Sequence, residues 1–122
     1  MNRVCFLNKI EISRIIFNVI RKELNLENEL IQRNPYNTCQ SRCLVLMENK
    51  TTQVLAVSTI YDGLLHFTID VYRKGYRVNR VCMFGPYGCV GYNFTRNEQK
   101  EFEKDCAAEF WNAYEQLPKF LR

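Results

Sequence analysis

An α+β fold is predicted for this chain: an N-terminal helix, a five-stranded antiparallel meander sheet, and a C-terminal helix packed on the sheet. Three observations predict it. Apolar residues recur at three- and four-residue spacing near both ends of the sequence. Short apolar runs fill the middle. Two-residue turn signals separate those runs, with Asp62-Gly63 the strongest, because both central positions of a type I′ turn need positive φ. The layout is helices covering one curved sheet.

The first helix is carried by Ile12, Ile15, Ile16, Val19, Ile20 and Leu24, which share one face. Asn8 with Glu11 three residues on forms a capping-box start. The pattern loosens at Asn25, a short continuation carries Leu30 and Ile31, and Pro35 stops it by Asn34. Residues Asn34 to Arg42 are polar and turn-rich and read as a loop. The expected strands are then Cys43 to Glu48, Thr52 to Ile60, Leu64 to Tyr72, Arg77 to Phe84 and Cys89 to Phe94. Asn49-Lys50, Asp62-Gly63, Lys74-Gly75 and a type I turn at Gly85-Pro86-Tyr87-Gly88 connect them. Thr95 and Glu98 form a second capping box, opening a helix whose stripe is Phe102, Cys106, Phe110, Ala113 and Leu117. Pro118 ends it, and Phe120-Leu121 can fold back on the core.

Strand pairing sharpens this. The Asp62-Gly63 turn sets Ile60 opposite Leu65, Ser58 opposite Phe67, Ala56 opposite Ile69 and Val54 opposite Val71. One face is therefore core. The other, with Leu55, Val57, Thr59 and Tyr61 against Leu64, His66, Thr68 and Asp70, is mixed. The first strand adds Leu44 and Leu46 to the mixed face and Cys43, Val45 and Met47 to the core face. The mixed face then needs cover from a helix, the Phe120-Leu121 tail or another protein. Across Lys74-Gly75, strict alternation puts Val78 beside Val71 and Arg80 beside Ile69, on the core face. A buried, unpaired guanidinium is very costly, so a bulge after Val78 is expected. The alternative is that Arg80 lies at a sheet end and meets a carboxylate or ligand.

The length, 122 residues, fits one domain spanning 1–122 and needs no staple to fold. Hydrophobic content of 47% with 25% charged residues excludes disorder. A net charge of +4 is too mild to assign a nucleic-acid partner by itself. Glu11, Arg14, Arg21 and Lys22 interrupt any signal-peptide core, and no run approaches a membrane span. The chain is therefore read as cytoplasmic, with its six cysteines as free thiols and no membrane partner. Twelve asparagines point to an AT-rich coding genome such as a virus or mobile element.

The basic hairpin is the leading candidate site. Arg73, Lys74, Arg77 and Arg80 lie among Tyr72 and Tyr76, with Tyr92 nearby and Tyr87 at a glycine-rich turn tip. Cations and aromatic faces suit a polyanion or a protein interface. The same charges also serve to solubilise an edge strand. Cys39, Cys43, Cys82 and Cys89 could be imagined as zinc ligands, but their spacings do not match knuckle-like pairs, and no metal or cofactor is expected. Cys39, Cys43 and the lone His66 are the residues an enzyme or small-ligand reading would use, yet no catalytic motif accompanies them. The leading reading is a small non-enzymatic adaptor or inhibitor that binds a protein partner, or itself as a homodimer, through the mixed sheet face and adjacent loops. The alternative is nucleic-acid binding, or occupation of a nucleic-acid channel, through the basic hairpin.

Overall fold

The computed structural model describes residues 4–37, 40–87 and 91–117, and side chains among these apart from 84–87 and 91–92. The chain runs β1 (Val4–Asn8), α1 (Lys9–Glu23), β2 (Gln32–Arg33), β3 (Gln40–Glu48), β4 (Thr52–Tyr61), β5 (Leu64–Arg73), β6 (Tyr76–Tyr87), β7 (Gly91–Thr95) and α2 (Arg96–Tyr114). Strands β2 to β6 form an antiparallel five-stranded sheet in sequence order, bracketed by the two helices as expected. Its fifth member is the two-residue β2 at the β3 edge. The strand expected last in the meander is β7, which pairs with β1 in a separate two-stranded sheet.

Both helices start on the capping boxes read from sequence. Asn8 Oδ1 accepts from Glu11 N–H and Glu11 Oε1 from Asn8 N–H, and Thr95 and Glu98 repeat the exchange. Bonding to the Thr95 backbone N–H holds the Glu98 carboxyl below its ordinary value. Helix α1 stops in a Schellman motif. Asn25 takes φ 54°, Leu26 N–H reaches Arg21 O at 2.7 Å, and Asn25 N–H reaches Lys22 O. The expected continuation to Leu30 and Ile31 is not helical: Leu30 is exposed and Ile31 packs half-buried against the core.

One hydrophobic core lies between the helices and one sheet face. Ile12, Ile16, Phe17 and Ile20 of α1 and Cys106, Phe110 and Ala113 of α2 meet Leu44, Val54, Ala56, Leu65, Phe67 and Ile69 of the sheet. Phe17 and Phe67 meet edge-on at 4.9 Å. Trp111 Nε1 donates to Glu23 Oε1, tying the helices together. The β4–β5 register matches the expected one pair for pair, with Asp62 and Gly63 at φ 53° and 75°.

Strand β3 corrects the expected faces. Leu44 and Leu46 belong to the helix-side core, whereas Cys43 and Val45 lie on the opposite face with Leu55, Val57 and Tyr72. An extra residue between Val45 and Met47 is the cause. Met47 pairs with Val54, Val45 pairs with Leu55, and the alternation reverses for the rest of β3. Met47 stays on the core side, half-buried. Strand β6 does carry a bulge, but at Val78 itself rather than after it: Tyr72 faces Arg77, Val71 faces Asn79, and Val78 is the extra residue. Val78 is therefore 55% exposed rather than paired inward. The turn expected at 85–88 does not start at Gly85, since β6 runs on to Tyr87 opposite Leu65, absorbing two further register shifts; Gly88 lies outside the described residues.

Candidate functional site

With the bulges in place, the second face of the sheet, away from the helices, is a grid of rows that cross the strands. Ser41, Thr59 and His66 form one row; Cys43, Val57, Thr68 and Cys82 the next. Val45, Leu55, Asp70 and Arg80 follow, and Gln53, Tyr72 and Arg77 lie nearest the β5–β6 turn. The centre of this grid is closed. Cys43, Leu55, Val57 and Tyr72 are buried, and burial pushes the Cys43 thiol up to about 11.

A strap formed by residues 34–37 supplies part of the cover. Asn34 donates from Nδ2 to Ser41 Oγ at one end of the face. Two residues on, Tyr36 stacks flat on Tyr72, with centroids 3.8 Å apart and planes at 9°. Its hydroxyl donates to Gln53 Oε1, and Gln53 Nε2 donates to Glu48 Oε2. Thr59, which hydrogen-bonds Ser41, and Gln53 are six positions apart on β4, roughly 20 Å at the rise of an extended strand. The strap therefore crosses most of the face.

Asp70 is the buried charge of this face. Its side chain is 0% exposed, and Arg80 grips it with two bonds of 2.8 Å, Nε to Oδ1 and Nη2 to Oδ2. Such a fork-to-fork pair satisfies both carboxylate oxygens at once. Hydrogen bonding to Asp70 pushes the guanidinium further up from its ordinary value, so Arg80 stays charged at any working pH. The residue that broke the alternation thus meets a carboxylate of its own chain. Burial, followed by the charge of Asp70, raises the Tyr72 hydroxyl.

The β5–β6 turn projects beyond this closed centre. Lys74 and Gly75 adopt φ 52° and 84°, the type I′ geometry for which glycine at the second position is suited. Lys74 N–H donates to Thr51 O, fastening the turn to the β3–β4 loop. Arg73, Lys74 and Arg77 are exposed, and none has a carboxylate within salt-bridge distance among the described residues. Tyr76 is 77% exposed between them. A shallow cleft of about 330 Å³ lies between the turn and the neighbouring loop, lined by Tyr36, Glu48, Lys50, Gln53, Tyr72 and Lys74.

The sequence-derived candidates thus divide. Arg73, Lys74, Tyr76 and Arg77 gather at the tip. Tyr72 is beneath Tyr36 and Arg80 is committed to Asp70. Tyr87 closes β6 and Tyr92 pairs with Leu7 across β1 and β7, and their side chains lie outside the described residues. So does Cys39. His66 is half-buried opposite Thr59, in a row separate from that of Cys43. Cys43 is enclosed, and burial holds its thiol away from the thiolate form that a nucleophile uses. Among the described residues no cluster of three or more His, Cys, Asp or Glu side chains is placed to hold a metal; Cys39 and Cys89 fall outside them. Also among these residues, no helix is long and apolar enough to cross a membrane. Tyr36, Gln53 and Val78 were not sequence candidates. Tyr36 sat in a stretch read only as a loop, and the exposure of Val78 depends on the bulge.

Comparisons add no relative: no family model, curated protein or solved structure matches this chain.

Proposed function

We propose that the chain is a non-catalytic interaction module that binds an acidic protein surface through the β5–β6 tip. The observation that carries this reading is the exposed pair Tyr76 and Val78 set among Arg73, Lys74 and Arg77. Tyrosine and arginine are enriched where binding energy concentrates in protein interfaces, and an adjacent apolar residue supplies area that desolvates on contact. The expected contact through the apolar centre of the second face loses its motive, because the chain already buries that centre. The contact therefore moves to the tip and to the rim beside Arg77. An adaptor or inhibitor acting in the cytoplasm fits such a surface.

Nucleic-acid binding is the second reading, favoured by the three cations beside an exposed ring. Two features weigh against it. Tyr72 cannot offer a stacking face while Tyr36 lies on it, and Arg80 is already neutralised by Asp70.

A photo-crosslinking residue in place of Tyr76, compared with the same residue in place of Leu30, tests both readings. Leu30 is equally exposed, at 76%, but lies outside the hairpin. The protein reading expects a discrete protein adduct from position 76 alone, lost at high salt and in the Arg73→Ala, Lys74→Ala, Arg77→Ala variant. Recovery of nucleic acid from position 76 would transfer the assignment to the second reading. Equal adducts from both positions, or none, would remove both.

A further inference from the structure

We propose that the cleft between α1 and the β3–β4 part of the sheet, remote from the β5–β6 tip, binds a small carboxylate carrying a short apolar chain. Two hollows of about 260 and 180 Å³ open here and share Ile10, Ser13 and Arg42 as walls. Each hollow is smaller than the pockets that enclose drug-sized ligands, which suits a fragment. Ile10, Phe17 and Ile31 give the first hollow an apolar wall, while Arg14 and Arg42 give it two cations. No acidic residue lines either hollow. Neither arginine has a carboxylate within salt-bridge distance among the described residues; Arg42 Nη1 reaches only Ser41 O, at 3.3 Å. Unpaired guanidinium groups also stand at the β5–β6 tip; what sets this cleft apart is that two of them border an apolar hollow with no acidic residue in its lining.

The floor of the second hollow supplies an independent observation. Ser13 of α1 and Ser58 of β4 are both buried, and their hydroxyls share a single bond of 2.7 Å. Two hydroxyls carry two protons, and this bond uses one. No protein acceptor among the described residues takes the other, although both serines line the hollow. A hydroxyl proton rotates, so a serine that lines a cleft can donate to an acceptor placed there. A ligand oxygen between it and the arginines fills that role, and a carboxylate offers two acceptors of the geometry a guanidinium prefers.

Phosphate is the poorer match. Its usual protein cradle is a set of backbone N–H groups at a helix start, whereas the Glu11 N–H of α1 is already taken by Asn8. The apolar wall also has nothing to contact on inorganic phosphate, but would take up a short alkyl chain.

Amide NMR of the whole chain titrated separately with hexanoate, hexanol and inorganic phosphate tests the assignment. Hexanoate should give saturable shifts at Ile10, Ser13, Ile31 and Arg42 with Kd on the order of 1–10 mM, the range for so small a ligand. Hexanol should bind at least about five-fold more weakly, since it cannot form charge-assisted bonds. Phosphate should leave these amides unmoved. In the Arg14→Ala, Arg42→Ala variant, hexanoate should weaken to the level of hexanol, with the remaining amides unshifted because both side chains are exposed. Equal binding of hexanol and hexanoate by the natural chain would reduce the site to a greasy cleft and overturn the proposal. Shifts produced equally by phosphate, an unaffected double variant, or no saturable shift from hexanoate would overturn it as well.

Discussion

On the helix side of the sheet, Val54, Ala56, Leu65, Phe67 and Ile69 meet two amphipathic helices, and the residues there are almost wholly apolar. On the other side, Leu55, Val57, Cys43 and Tyr72 are equally buried, yet they surround a charged pair and lie under a short irregular strap. The contrast teaches how a small domain finishes a sheet that is apolar on both faces. Two helices cover one side by area. Among the described residues, the other side has a stacked tyrosine, a few hydrogen bonds and one forked ion pair. Burial on the first face scales with apolar area, while order on the second depends on a handful of geometrically exacting contacts. Beyond these contacts, Arg73, Lys74 and Arg77 at the β5–β6 tip have no carboxylate within salt-bridge distance among the described residues.

The difference predicts a graded set of responses. Phe67→Ala empties the centre of the helix-side core and should cost about 3–5 kcal/mol, read as a lower urea midpoint at unchanged slope. A loss under about 1 kcal/mol would mean that this face is not the main core. Tyr36→Ala removes the stack on Tyr72 and the bond to Gln53, and should cost about 1–2 kcal/mol. Faster hydrogen exchange should follow along β3 to β5, and unchanged exchange would show the strap to be incidental.

Alkaline titration samples both faces through their thiols. Burial raises Cys43 to about 11, and burial with nearby Asp105, Glu103 and Glu109 raises Cys106 to about 12, each from an ordinary 9.0. A raised folded value means the folded state holds the proton more tightly. The stabilisation is complete below pH 9.0 and is lost as the pH climbs through 11 to 12. Unfolding midpoints should therefore fall as the pH rises from 9.0 to about 12, and less steeply in Cys43→Ala and Cys106→Ala. Identical slopes in the variants would assign the loss to other groups. The smallest expected effect is at the tip: Tyr76→Ala should change stability by less than about 0.5 kcal/mol while abolishing partner capture. A larger stability loss would mean that the tyrosine packs rather than binds.

Local chemistry made much of the fold legible. Asn8 with Glu11 and Thr95 with Glu98 announce both helix starts, because a capping box is a contact between residues three apart. Asp62-Gly63 fixes the β4–β5 register through its own backbone preference. Arg80 revealed the β6 bulge because a misplaced charge is costly enough to be noticed. The β3 bulge escaped because Cys43 to Met47 is apolar throughout, so reversing its alternation leaves no trace in the pattern. Strand β1 escaped for a related reason: Val4 to Leu7 does not alternate, and its strand partner, β7, lies far along the chain. For the site, the cations of the tip could be read from sequence, and a carboxylate for Arg80 was one of two readings, but neither Asp70 as that carboxylate nor the stacking of Tyr36 on Tyr72 could be. Both depend on partners placed by the tertiary structure.

The central claim is that Arg80 serves a buried carboxylate inside the domain, whereas its neighbours Arg73, Lys74 and Arg77 face outward for a partner. Urea unfolding of Arg80→Ala beside Asp70→Asn tests it most directly. Removing Arg80 leaves the fully buried Asp70 carboxylate without its counter-charge and should cost about 3 kcal/mol. Removing the charge of Asp70 leaves Arg80, which is 41% exposed and can turn to water, and should cost only about 1 kcal/mol. Equal, small losses from both substitutions would contradict the claim and return Arg80 to the outward-facing group.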